Sequence, residues 1–121
     1  MSCEWLELLN AAGVDTKGSL QRFMNNETLY KKFVIKFLND ENYKLLQEAV
    51  NQENAETILT SSHTLKGVCG NLGFVKLYEI SAAIVNAIRA DQLKDAILLY
   101  RDFEQAYEQL YDVIQTVARC S

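Results

Sequence analysis

A hydrophobic seam with the period of an α-helix runs through the last quarter of the chain. Its apolar residues are spaced three or four positions apart: Leu93, Ile97, Tyr100, Phe103, Tyr107, Leu110, Ile114 and Val117. Such spacing places the side chains on one helix face, and a seam of this length needs apolar partners along all of it. It therefore predicts one long helix, from about Gln92 to Ala118, packed within a bundle.

The same period recurs in most of the chain that precedes this helix. It predicts helices over CEWLELLNAAG, SLQRFM, ETLYKKFVIKFL, NYKLLQEAVNQ, about Asn54 to Leu72, and VKLYEISAAIVNAIRA. Either Asn25 or Asn26 is placed to cap the third of these. The chain has no proline, which a loop-rich fold or a β-sandwich would normally use in its turns. We expect an all-α fold, an antiparallel up-and-down four-helix bundle with short extra helices at the N-terminus.

Length and charge narrow the range of functions. The chain has 121 residues without an internal repeat or a linker-like segment, so we expect a single domain over residues 1–121. The formal net charge is −4, and 12 basic residues are scattered among 16 acidic ones. Because phosphate-binding surfaces need clustered lysine and arginine, this pattern argues against a nucleic-acid partner.

The chain also lacks the signals of membrane insertion or export. No apolar run approaches the roughly 20 residues that span a bilayer. The first residues, MSCEWLELLN, carry an acidic residue where a signal peptide would carry lysines. We expect a cytoplasmic protein with no membrane partner. We also expect a monomer, because a bundle of this kind can bury its own hydrophobic seam.

The stretch SHTLKGVCGNLG contains the only histidine, His63, followed by three glycines. At 100° per residue, four residues lie within about 60° of His63 around the helix: Leu59, Lys66, Gly67 and Gly70. The apolar residues of this helix fall on the opposite side, so His63 is expected to face solvent. A glycine inside a helix is about 1 kcal/mol less favourable than alanine. We interpret Gly67 and Gly70 as a bare strip through which a partner reaches the imidazole, and Gly73 as the helix end.

These neighbours predict a nucleophilic imidazole with open access. Lys66 lies one turn from His63 and is a cation placed to pair with an anion carried on the ring. Leu59, on the preceding turn, is expected to offer apolar surface to a partner. An imidazole can take a phosphoryl group on a ring nitrogen, and the transfer needs geometry and charge neutralisation more than covalent machinery. The cysteines lack the paired spacing of a zinc site, so no metal site is expected.

The segment SSHTLKGVCGNLGF resembles the signature of histidine-containing phosphotransfer (HPt) domains, H-x-x-K-G followed by small residues and a glycine. The resemblance extends from Gly18 to about Arg89, while the final helix matches in length and character only. It implies a four-helix bundle in which His63 accepts the phosphoryl group and Lys66 assists by its charge. Gly67 and Gly73 would occupy the small-residue positions of the family.

The resemblance also implies partners and a role. Such domains have no kinase activity of their own. They relay phosphoryl groups between aspartates of receiver domains, which hold the Mg²⁺, or accept them from a sensor histidine kinase. The protein itself would need no cofactor. One departure from the family is Val85–Asn86, where relatives often have Leu-Glu, and this difference bears on the choice of partner.

Other functions compete with phosphotransfer for the same sequence features. A non-catalytic helical adaptor would bind a signalling partner with an incidental histidine, although such adaptors generally lack the residue. A dimerisation helix pair of a histidine kinase would place an acidic residue directly after the histidine and a proline beyond it. Thr64 follows His63 here, and the chain has no proline. The phosphotransfer function is therefore favoured.

Overall fold

The computed structural model describes residues 4–120, and all regular structure in that range is helical. The α-helices are α1 (Trp5–Ala11), α2 (Thr16–Arg22), α3 (Glu27–Lys36), α4 (Glu41–Asn51), α5 (Ala55–Leu72), α6 (Val75–Arg89) and α7 (Leu93–Ala118), and a 3₁₀ turn (Phe37–Asn39) follows α3. The prediction of an all-α fold is confirmed. The long helix α7 begins at Leu93, one residue after the predicted start, and ends at Ala118, the predicted end.

Short polar side chains cap the N-termini of several of these helices, where each accepts a hydrogen bond from a backbone N–H of the first turn. Asn26 does so for α3 and Asn54 does so for α5. Asp15 caps α2, which therefore begins at Thr16, earlier than the predicted segment SLQRFM. Because the caps lie at the residues between apolar stretches, the sequence located most of the helix starts.

Helices α4 to α7 form an antiparallel bundle. Each is joined to the next by a connection of two or three residues, and such short connections make consecutive helices antiparallel neighbours. The helix α5 packs between α4 and α6, and α6 packs against α7. Stacked rings on α4 and α7 close the bundle. The predicted four-helix bundle with short N-terminal helices is confirmed.

The three N-terminal helices cover the end of the bundle at which α5 and α7 end. The Tyr30 hydroxyl donates a hydrogen bond to the carbonyl oxygen of Leu72 at 2.8 Å. The backbone N–H of Asp15 donates to the carbonyl oxygen of Gly73 at 2.8 Å. These bonds hold α3 and the N-terminal end of α2 beside the last turn of α5.

The inner face of α5 is the one that the helical period predicted. Ile58, Leu65 and Cys69 are fully buried, and Leu72 is buried as well. Val68 is half-buried and packs against the core. Burial raises the pKa of the Cys69 thiol, so this cysteine stays protonated and is a poor nucleophile.

A cluster of aromatic rings joins α4 to α7. Tyr43 stacks on Tyr107 with the ring centroids 3.7 Å apart and the planes 6° from parallel. Tyr100 donates a hydrogen bond from its hydroxyl to that of Tyr43 at 3.5 Å. Burial raises the pKa of all three hydroxyls, that of Tyr107 to about 12, because a phenolate in this cluster would lose its hydration.

The stability of the protein is therefore expected to fall as the pH rises above about 10, the ordinary pKa of tyrosine. Between that pH and the folded-state pKa of Tyr107, the unfolded chain loses from this tyrosine a proton that the folded chain keeps, and this one group lowers the free energy of unfolding by up to about 1.4 kcal/mol per pH unit. Urea unfolding followed by circular dichroism across this range measures the slope. Tyr107→Phe should make the slope shallower, and an equal slope in both proteins would contradict the assignment.

Candidate functional site

His63 lies near the middle of α5, on the side of the helix that faces away from the core. Its side chain is exposed, whereas Ser62 before it and Leu65 after it are buried. Within residues 4–120, no group donates a hydrogen bond to the imidazole or accepts one from it. Both ring nitrogens are therefore available to a partner.

Hydroxyl groups surround His63 along the helix, but each of them is engaged within it. Ser62 donates to the carbonyl oxygen of Ile58, and Thr64 donates to that of Thr60 at 3.0 Å. Such bonds to the preceding turn are common for serine and threonine in helices. Since these hydroxyl protons are used inside α5, the imidazole is the nucleophile that the surface leaves free.

An open depression beside His63 gathers residues of three helices. It is lined by Arg22 of α2, by His63, Lys66, Gly67, Gly70 and Asn71 of α5, and by Tyr78 of α6. The structure thus brings together four of the residues that the sequence placed on one helix face. Leu59 does not line the depression, and it is half-buried where exposed apolar surface was expected.

Lys66 lies one turn after His63 and is half-buried. Its ammonium nitrogen is 6.0 Å from the centroid of the Tyr78 ring, which places the cation over an aromatic face. Within residues 4–120 no carboxylate pairs with it. The positive charge beside His63 is therefore not neutralised by the protein.

The two glycines of the expected bare strip have different surroundings. A Cβ atom added to Gly67 would have no heavy atom within 4 Å, so the helix surface is open there. A Cβ atom added to Gly70 would lie 3.1 Å from Cδ2 of the Tyr78 ring. The expectation of a continuous bare strip is corrected at Gly70, because the ring of Tyr78 covers it.

Gly73 ends α5 in the left-handed conformation, with φ of 80°. Its N–H and that of Phe74 donate to carbonyl oxygens of the last turn of α5. A side chain here would also overlap the carbonyl oxygen of Asp15 and the hydroxyl of Ser19. Gly73 is thus needed both for its backbone conformation and for the close approach of α2.

Arg22 was not identified from the sequence. Its guanidinium group donates from Nη2 to the carbonyl oxygen of Gly70 at 2.9 Å and from Nε to that of Asn71 at 3.2 Å. These carbonyls are among the last four of α5, which have no N–H group of a following helical turn to accept from. Arg22 therefore caps α5 from another helix and brings a second cation to the rim of the depression.

Tyr78 was also missed, although a signal for it existed. It lies four residues into α6, directly after the turn that Gly73 begins, and a short turn returns the chain along the preceding helix. Pairing the start of α6 with the end of α5 would have placed Tyr78 near Gly70. Arg22 offered no such signal, because its place depends on how α2 packs on the bundle.

Three further features bear on the function. Val85 is buried in the core and Asn86 is exposed, and neither lines the depression. In the described part of the chain, no group of three or more His, Cys, Asp or Glu side chains is placed to hold a metal ion. No helix between residues 4 and 120 is both long and apolar enough to cross a membrane.

Comparison with known proteins identifies the family. A family model described as Hpt domain matches residues 38–113, more than half of the chain. The match includes all of α4, α5 and α6 and continues into α7, beyond Arg89 where the sequence resemblance stopped, but it begins at residue 38 and not at Gly18. No curated protein and no solved structure matches the chain. Domains of this family serve in histidine phosphotransfer within phosphorelays, where they interact with receiver domains and kinases. The chain belongs to the Hpt domain family.

Proposed function

We propose that His63 accepts a phosphoryl group from an aspartate of a receiver domain, or from a kinase, and passes it to an aspartate of another receiver domain. The observation that supports this most directly is the exposed imidazole of His63. Its nitrogens have no partner in the described part of the chain, and it borders an open depression that contains an unpaired cation. Membership of the family supports the same reaction.

The transfer exchanges one bond for another. The unprotonated ring nitrogen of His63 attacks the phosphorus, a P–N bond forms, and the P–O bond to the aspartate breaks with its electron pair leaving on the carboxylate. The outer nitrogen, Nε2, is the proposed acceptor because it projects furthest from the backbone. The ammonium group of Lys66 lies on the same face and offsets the charge of the bound phosphoryl group.

The partner supplies the rest of the chemistry. The Mg²⁺ ion and the aspartate would belong to the receiver domain, which must approach in line with the acceptor nitrogen. The protein would act as a single domain, without kinase activity or a cofactor of its own, as a monomer in the cytoplasm. Gly67 fits this role, because the absence of a side chain leaves the approach to His63 open.

Transfer to the purified protein tests the proposal. A receiver domain loaded with phosphate by a small-molecule phosphodonor is mixed with the protein, and intact mass and ³¹P NMR are recorded. We expect one phosphoryl group per chain, labile in acid, stable in base and located at His63. Binding of receiver domains without transfer across a full panel would instead support a helical adaptor.

Enlarging Gly67 should separate access from stability. Gly67→Ala adds a methyl group that meets nothing within 4 Å, and alanine favours the helix interior by up to about 1 kcal/mol. We expect Gly67→Ala to raise the melting temperature and slow transfer slightly, and Gly67→Gln to slow it about tenfold, since the longer side chain occupies the approach path. Wild-type transfer rates in Gly67→Gln would show that this position has no part in access.

A further inference from the structure

Tyr78 has a contact with α5 that depends on a missing side chain. The ring lies over Gly70, where an added Cβ would be 3.1 Å from Cδ2 and 3.3 Å from Cε2. Contacts this short would push the ring away from the helix. Tyr78 is 40% exposed, so burial in the core does not explain its position.

The same ring faces the ammonium group of Lys66. The 6.0 Å between Nζ and the ring centroid is near the outer limit of about 6 Å for a cation–π attraction. Lys66 and Gly70 are four residues apart, so they lie on one helix face. The ring that rests on Gly70 therefore borders the space in which the lysine side chain can move.

The kind of group that contacts Lys66 affects how freely its ammonium group can interact with a phosphoryl group on His63. A carboxylate would hold the ammonium group more firmly, but it would compete with a phosphoryl group for the same charge and the same N–H donors. An aromatic face attracts the cation and leaves its charge and donors free. Arg22, the other cation of the depression, instead donates from Nε and Nη2 to the end of α5.

We propose that Tyr78 is a positioning residue, whose ring keeps the ammonium group of Lys66 beside His63 without neutralising it. Gly70 makes the position possible, because it lets the ring rest on α5. This inference depends on the proposed function, since it assigns a role in binding the phosphoryl group on His63.

A double-mutant cycle tests the proposal through the rate of transfer from a phosphorylated receiver domain. We expect Tyr78→Leu to slow transfer about two- to fivefold, the range that corresponds to an exposed cation–π contact. Tyr78→Phe keeps the ring and should retain the wild-type rate. In a Lys66→Met background, Tyr78→Leu should have no further effect. Equal slowing with and without Lys66 would overturn the proposal, because Tyr78 would then act through docking.

NMR gives a second measurement that does not depend on transfer. Ring current from Tyr78 should shift the Cε protons of Lys66 upfield in the wild type and in Tyr78→Phe, and this shift should vanish in Tyr78→Leu and decrease in Gly70→Ala. Unchanged chemical shifts of the Lys66 Cε protons in Tyr78→Leu would refute the contact. Absence of any label on the wild-type protein would refute the proposed function and leave the shift measurement to judge the contact.

Discussion

Replacing His63 with glutamine is expected to abolish labelling by a phosphorylated receiver domain. Glutamine keeps a polar side chain of similar length but has no nucleophilic nitrogen, since its amide lone pair is delocalised. The fold should be unaffected, because His63 is exposed and has no hydrogen-bond partner within residues 4–120. Loss of the phosphoryl adduct in the intact mass, with an unchanged circular dichroism spectrum and melting temperature, would support the acceptor role.

Lys66→Met serves as the matched control for this variant. It changes the neighbouring cation and leaves the imidazole in place, so labelling should be slower but still reach His63. Binding of the receiver domain should persist in His63→Gln, as measured by calorimetry. Transfer to the His63→Gln protein at the wild-type rate would show that another residue is the acceptor.

Replacing Gly73 with alanine is expected to destabilise the protein by about 3 kcal/mol. The left-handed backbone is about 1–2 kcal/mol less favourable for alanine than for glycine. The added Cβ also overlaps the backbone of Asp15 and the hydroxyl of Ser19, so α2 has to move away from the end of α5. Urea unfolding measures the change in the free energy of unfolding.

Two other glycines separate the causes of this effect. Gly13 has a similar φ of 88°, but a Cβ there would meet nothing within 4 Å, so Gly13→Ala should show the backbone strain alone, about 1–2 kcal/mol. Gly67 has neither strain nor contact, and its alanine variant should be at least as stable as the wild type. If Gly73→Ala and Gly13→Ala were equally destabilised, the close approach of α2 would contribute nothing.

If Gly73→Ala displaces α2, the end of α5 is expected to lose its protection from hydrogen exchange before the rest of the bundle does. Arg22 and Asp15 both bond to the end of α5, so displacement of α2 should expose the backbone amides there. Faster hydrogen exchange near position 73, with unchanged exchange at the aromatic cluster of α4 and α7, would support this expectation.

The sequence determined the helices, the inner face of α5 and the exposure of His63. These properties follow from local spacing: the helical period assigns each residue to a face, and polar residues between apolar segments cap the next helix. The sequence also predicted that Gly73 ends α5, because a glycine directly after the last apolar residue of a helical segment is a typical helix end. The face of its own helix that a residue occupies depends only on the sequence within a few turns of it.

The surroundings of His63 depend on how the helices pack against one another. Arg22 comes from a helix more than 40 residues earlier, and its bonds to Gly70 and Asn71 depend on how α2 packs across the end of the bundle. The covering of Gly70 by Tyr78 likewise depends on the packing of α6 against α5. The pattern on one helix showed that Gly67 and Gly70 share the face of His63. It could not show that one stays open and the other is covered, because the covering group belongs to a different helix.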